Sequence, residues 1–249
     1  LPDVAAIEAV GLLDDDNDHT VIIDASTAHR TNPEWAYGLP ELGKEFRDKI
    51  KNSQKIAVPG CYASGFNMIV HPLVKLGIIG RDYPVFATAL SGYSGAGKAA
   101  IALYESEDKT KDLEAPRMYA LSQEHKHLKE MQAISGLSAK PLFTPVVDDY
   151  YCGMIVSVPF FTNIMKKKLN PEELFRLYEE FYKDEQFIIV MPFGSEAKEN
   201  NFLSANAYAG RDDAQIFITG NEDRILVSAR FDNLGKGASG AAVQCMNIK

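Results

Sequence analysis

The side chain best placed to act as a nucleophile is Cys61, in Val58-Pro59-Gly60-Cys61-Tyr62-Ala63-Ser64-Gly65. The short apolar run 55–58 reads as a strand, Pro59-Gly60 as a turn and 63–76 as a helix, so the thiol stands where a strand hands over to a helix. At a helix N-terminus the dipole and the free backbone N–H groups stabilise a thiolate and can hold a developing oxyanion. The plain alternative is a small buried hydrophobe. Cys152 and Cys245 have no such setting and read as structural.

Glu124-His125-Lys126-His127 is the second chemical signal. On an extended segment, side chains two apart point the same way, so His125 and His127 would share one side and Lys126 the other. One of them can serve as an acid or base near neutral pH. A zinc pair lacks a third and fourth ligand at recognisable spacing, so no metal is expected. Two solvated histidines at a helix start is the bland reading, and His19, His29 and His71 are background.

Ser91-Gly92-Tyr93-Ser94-Gly95-Ala96-Gly97-Lys98 comes close to a phosphate-binding P-loop, but Ala99 stands where magnesium needs a Ser or Thr hydroxyl. Nucleotide hydrolysis is therefore not expected, and a glycine-rich turn that a flat or anionic ligand can approach is what is left. Gly235-Lys236-Gly237-Ala238-Ser239-Gly240 spells G-x-G-x-x-G, yet no further strand or acidic residue follows at the Rossmann spacing. It can touch a cofactor but cannot be a pyrophosphate fingerprint, and no other G-x-G-x-x-G occurs. Arg30, after Asp24-Ala25-Ser26 at a strand end, could form a bidentate pair with a substrate carboxylate; a surface arginine is the equally ordinary alternative.

The elements that must position these residues fall into two patterns. A helix over 4–13, the acidic run Asp14 to Asp18, a strand over 20–24, a long polar loop, the strand 55–58 and the helix 63–76 form an alternating αβ series. Strands follow at 85–90, 142–147, 155–161, 187–190, 214–219 and 224–231, with helices at 126–134, 171–183 (Asn170 as its cap) and 239–246. The expected fold is thus α/β plus α+β: the C-terminal part of a Rossmann-type parallel sheet, then a catalytic domain with an extended mixed or antiparallel sheet. The division expected is 1–62 for the remainder of the nucleotide-binding domain, 63–232 for a catalytic and dimerisation domain, and 233–249 for a helix returning to the first.

The 249 residues carry a net charge of -8 and no basic run longer than Lys166-Lys167-Lys168, which argues against nucleic acid and anionic membranes as partners and for a small-molecule substrate. Three scattered cysteines do not make a disulfide framework, so a reducing, cytoplasmic setting is expected. Neither a signal peptide nor a spanning segment is read, and the first residues, with no starting methionine, suggest a preceding segment.

In this order, Leu1-Pro2, Asp24-Ala25-Ser26 with Arg30, Tyr37-Gly38-Leu39-Pro40-Glu41, Pro59-Gly60-Cys61-Tyr62, Ser91-Gly92-Tyr93-Ser94-Gly95 and Asn233-Leu234-Gly235-Lys236-Gly237-Ala238-Ser239-Gly240 resemble the N-acetyl-gamma-glutamyl-phosphate reductases of arginine biosynthesis, most closely their shorter second type. The resemblance implies that Cys61 attacks the acyl phosphate and that His125 is the acid/base beside it. It puts Ser26, Arg30, Tyr119, His127 and Glu130 on the substrate, and Ser91, Gly92, Ser94, Gly95, Asn233 and Gly237 on NADP(H). The family's His-Arg-His reads His125-Lys126-His127 here, and its usual Thr-Pro is replaced by Leu128-Lys129. Its opening G-x-x-G-x-x-G loop is not in this sequence, so the resemblance implies a nucleotide-binding domain entered partway. A homo-oligomer, dimer or tetramer, is also implied.

The chemistry implied is reduction of an acyl phosphate to an aldehyde through a cysteine thioester. Its rivals are an aspartate-semialdehyde dehydrogenase-like reductase, a cofactor-free thiol hydrolase using Cys61 and His125, and a non-catalytic binding remnant.

Overall fold

The computed structural model of the chain describes residues 1–13, 17 and 19–249. Apart from Asn17, the acidic run at 14–18 lies outside those residues.

Three short strands form a parallel sheet: β1 (Ile22–Asp24), β2 (Ala36–Tyr37) and β3 (Lys55–Ala57), in the order β1-β3-β2. Helices α1 (Asp3–Val10) and α2 (Lys44–Asn52) belong to the same stretch of chain. β2 and α2 lie where a long loop was expected. Only Phe46 and Ile50 in Lys44–Asn52 are apolar; Ile50 is fully buried, and the other residues leave a composition that looks like a loop.

From β3 the chain enters α3 (Cys61–Lys75), the central helix of the molecule. Beyond it come β4 (Phe86–Gly92), α4 (Lys98–Tyr104), β5 (Arg117–Met118), α5 (Leu128–Ser135), β6 (Leu142–Asp148), β7 (Met154–Phe161), α6 (Pro171–Tyr182), β8 (Ile188–Val190), β9 (Ala214–Gly220), β10 (Arg224–Phe231) and α7 (Gly240–Ile248). The seven later strands make one mixed sheet, ordered β5-β6-β4-β7-β10-β9-β8, in which β4 pairs β6 and β8 pairs β9 in parallel. A small parallel sheet beside a larger mixed one is the two-part architecture expected.

Alternation along the large sheet decides where α3 lies. Ala87, Ala89, Val156, Val158, Ile225, Val227 and Ala229 face one side, and there Phe66, Phe160, Tyr178 and Phe231 fill a core shared with α3, α5 and α6. Gly65 lets α3 approach closely, because a Cβ there would meet Val156 Cγ2 at 2.6 Å. Pro72 interrupts the helix ladder and leaves the Met68 carbonyl without its N–H partner. The Tyr182 hydroxyl of α6 donates to that carbonyl at 2.7 Å, and Tyr178 donates to the Ile69 carbonyl at 2.5 Å. At the start of α6, Asn170 and Glu173 form the reciprocal cap.

The chain then returns. A π-helical turn over Gly235–Ser239 leads into α7, whose Cys245 packs with Ala36 and Ile56 of the small sheet and with Ile50 of α2.

Candidate active site

Gly60 caps α3: its carbonyl accepts the Ser64 N–H at 2.8 Å, and the residue after it is Cys61. The Tyr62 N–H points at the sulfur and draws the thiol towards ionisation, but burial outweighs it and pushes the thiol up to about 11. In the ligand-free protein Cys61 is therefore a protonated thiol at neutral pH, against the expectation of a depressed value. The helix terminus acts as expected, but dense protein around the sulfur is the larger effect.

Behind this turn stands Glu130. Its Oε1 accepts from the Gly60 N–H at 2.9 Å and the Tyr37 hydroxyl at 2.7 Å, and its Oε2 pairs with Arg30 Nη1 at 3.2 Å. Burial raises the carboxyl, with Arg30 and the donors pulling the other way. Arg30 also donates to the Val58 carbonyl at 2.9 Å and the Ala25 carbonyl at 2.8 Å. Three of its five N–H groups are thus engaged, and two can face a ligand. Glycine at 60 is required by this packing: a Cβ there would overlap His127 Nε2 and stand 2.5 Å from Arg30 Nη1.

His125 and His127 do not sit on an extended strand. They occupy a turn before α5, which starts at Leu128, and the turn itself brings their rings to 4.7 Å between centroids. The His127 N–H donates to His125 Nδ1 at 3.1 Å, so the neutral His125 ring carries its proton on Nε2. Burial, aided by the nearby Lys126 charge, lowers His125 to about 4, and burial holds the enclosed His127 well below its ordinary value. Both rings are neutral at pH 7. His127 Nδ1 is buried with no hydrogen-bond partner among the described residues.

These groups line one cavity of about 330 Å³, with Ala25, Arg30, Gly60, Cys61, Tyr62, Tyr119, His125, Lys126 and His127 on one part of its wall and Ser94, Gly95, Asn233 and Gly237 on the other. A smaller cavity of about 100 Å³ adjoins Cys61 and is lined by Ser91, Gly92, Gly95, Tyr62 and Tyr119. The Tyr119 hydroxyl donates to that of Tyr62 at 2.9 Å. Ser26 and Glu130 line neither cavity: the Ser26 hydroxyl donates to Asp24 at 2.6 Å, and Glu130 supports the wall from behind. Among the described residues no group of three His, Cys, Asp or Glu is arranged to hold a metal, and no helix is long and apolar enough to cross a membrane.

The glycine segments meet at the thiol. A Cβ on Gly237 would lie 2.9 Å from Cys61 Cβ, and one on Gly95 would lie 3.2 Å from Asn233 Nδ2 and 3.3 Å from Ser91 Oγ. Asn233 ties them together by accepting from the Gly153 N–H at 2.8 Å and donating to Ser94 Oγ at 3.0 Å. Bare backbone facing a cavity beside a thiol fits a flat nicotinamide ring. Sequence reasoning missed two supports: Glu130 as the joint of the wall, and the fully buried pair Lys236–Glu41, at 2.5 Å, beneath the turn that carries Gly237. The glycine preceding Cys61 was the available signal for the first.

Residues 61–233 match the family described as semialdehyde dehydrogenase, dimerisation domain. The chain is 42% identical over its whole length to an N-acetyl-gamma-glutamyl-phosphate reductase 2 of Nostoc sp., covering 79% of that protein, and equally to the N-acetyl-gamma-glutamyl-phosphate reductase of Trichormus variabilis. Among solved structures, aspartate semialdehyde dehydrogenase II of Vibrio cholerae superposes on 92% of this chain and 72% of its own, with TM-score 0.68 and 19% identity, which is a likeness of fold.

Proposed function

The chain belongs to the N-acetyl-gamma-glutamyl-phosphate reductase family, and on that premise we propose that it reduces N-acetyl-glutamyl 5-phosphate to N-acetyl-glutamate 5-semialdehyde and phosphate, a step of arginine biosynthesis. The observation that carries the reading is the helix-terminal thiol of Cys61 in a cavity shared with His125 and two glycine-rich segments.

In this mechanism Cys61 attacks the acyl carbon and forms a thioester as the C–O bond to phosphate breaks, and the thiol proton leaves on the departing phosphate. A reduced nicotinamide nucleotide, NADPH in our reading, supplies the hydride when bound, with Ser91, Gly92, Ser94, Gly95, Asn233 and Gly237 along its ring. The His125 Nε2–H donates to the oxygen of the acyl group, because Nδ1 is already occupied by the His127 N–H. Arg30, with Glu130 holding it in place, presents its spare N–H groups to the substrate carboxylate. Tyr119 and His127 complete the substrate wall, and Ser26 acts through Asp24 by fixing the loop that carries Arg30. A cytoplasmic homodimer is part of the proposal; the dimerisation-domain match supports the dimer.

Cys61→Ala in the full-length protein should lower NADPH-dependent turnover by at least about four orders of magnitude, as loss of a covalent nucleophile does. Near-normal rates would sink the assignment. Comparing N-acetyl-glutamyl phosphate with aspartyl phosphate as substrates separates this reading from an aspartate-semialdehyde dehydrogenase, whose fold the chain shares.

A further inference from the structure

Two cations line the cavity beside Cys61, and they differ in what already holds them. Arg30 is buried and neutralised by Glu130 at 3.2 Å, and its Nε and Nη2 are spent on the carbonyls of Val58 and Ala25. Lys126 is exposed at the cavity wall and makes no ion pair with any carboxylate among the described residues. Asp3, the acidic group that feels both cations, is held instead by the Thr27 hydroxyl and N–H. The charge of Lys126 nevertheless reaches the reacting groups, since it is felt by Cys61, His125 and His127. With both imidazoles neutral and the thiol protonated, Lys126 is the uncompensated positive charge of the cavity at pH 7.

The substrate of the reading above brings one carboxylate and one phosphoryl group, the second of higher charge. A neutralised, geometrically fixed guanidinium suits the planar carboxylate. A solvated ammonium on a flexible stem suits a tetrahedral oxyanion that moves away as the C–O bond breaks. We propose that Lys126 is the recognition residue for the phosphoryl group, both in the acyl phosphate and as the inorganic phosphate that leaves. The assignment rests on the acyl-phosphate reading of the site. It also gives a physical reason for a cation between the two histidines: on the turn observed, Lys126 shares the cavity with them instead of pointing away.

The reverse reaction isolates this role, because semialdehyde, inorganic phosphate and NADP+ combine to acyl phosphate, NADPH and a proton, so phosphate has its own KM. In the full-length protein, Lys126→Ala should raise the KM for inorganic phosphate by about 10- to 100-fold, the loss of one charge-assisted contact. The KM for the semialdehyde should change less than about 2-fold, and Lys126→Arg should restore most of the loss. A second measurement needs no turnover: inorganic phosphate should protect Cys61 from iodoacetamide, with a half-protecting concentration raised by the same factor in Lys126→Ala. An unchanged KM for phosphate, or an unchanged half-protecting concentration, overturns the proposal. Phosphate protection that depends on Lys126 in a protein unable to reduce any acyl phosphate would uphold this site and break the reading of the reaction instead.

Discussion

At the scale of single residues, the site is governed by desolvation. Cys61 is pushed from an ordinary 9.0 up to about 11, and His125 falls from 6.5 to about 4, each held in its neutral form. Alkylation of Cys61 in the ligand-free protein should therefore rise through pH 9 to 11; a midpoint below 8 would show that the helix terminus and Lys126 outweigh burial. The folding consequences follow from the same shifts. The unfolded chain loses the thiol proton at lower pH than the folded one, so the stability this group contributes is complete below about 9 and lost towards 11. For His125 the unfolded chain takes up a proton first, so stability falls as pH drops from 6.5 to 4. His125→Asn should flatten that acid limb in urea titrations by about 2 kcal/mol, less than the full shift implies because the ring is partly exposed. Gly60→Ala should leave the fold intact and lower kcat/KM at least about tenfold, since its methyl group displaces His127 and Arg30 together. The nucleophile was legible as a thiol at a strand-to-helix turn, but its protonation was not, because it depends on burial in the folded chain and on the charges of Arg30, Glu130 and Lys126, all distant in sequence.

At the scale of elements, the segments easiest to read were those with a strong apolar period or a cap, such as β7, β10 and α6 with its Asn170. The ones missed were short or mostly polar: β2 is two residues long, α4 follows a glycine-rich turn, and α2 has only Phe46 and Ile50 as apolar residues. The segment over 235–240 spells G-x-G-x-x-G, but with no further strand after it the spacing allowed only contact with a cofactor. In the structure its glycines permit the close packing of a π-helical turn against Cys61 and against Asp212, whose Oδ1 would overlap a Cβ on Gly240. Lys236 within that turn is fully buried, bonding Glu41 at 2.5 Å and Gln244 at 2.6 Å, while Gln244 also donates to Glu41 at 2.7 Å. Removing one member leaves a buried charge, so Lys236→Met should cost roughly 3–5 kcal/mol in denaturant unfolding. Adding Glu41→Leu should recover most of that cost, because neither charge is then left unpaired. Failure of the double variant to recover stability would mean that the pair's hydrogen bonds to Gln244 matter more than its charge balance.

At the scale of the whole molecule, α3, α5 and α6 cover one face of the large sheet. On the other, Phe86 pairs across to Leu142, Leu226 to Pro159, Thr88 to Ser157, and Ser157 to Ser228, the two serine hydroxyls meeting at 2.8 Å. Leu142 and Phe161 are 53% and 54% exposed there, and Phe86, Leu90 and Leu226 are exposed on the same face. Five large exposed apolar side chains on one sheet face are the kind of surface that marks an interface. Its mixed composition suits two identical sheets meeting about a twofold axis. The match of residues 61–233 to a dimerisation domain makes a second copy the occupant to expect. Leu142→Glu with Phe161→Glu places like charges on both copies and should convert the protein to a monomer in sedimentation velocity, with its circular dichroism unchanged. Because α3 packs on the inner face, the thiol and both histidines lie on the far side of the sheet from these substitutions. Monomers that keep iodoacetamide reactivity at Cys61 would mean that each subunit builds its own site and dimerisation contributes stability alone. Monomers whose Cys61 reactivity changes would mean that the partner, pressing on β4 and β7, sets the position of the loops that close over the thiol.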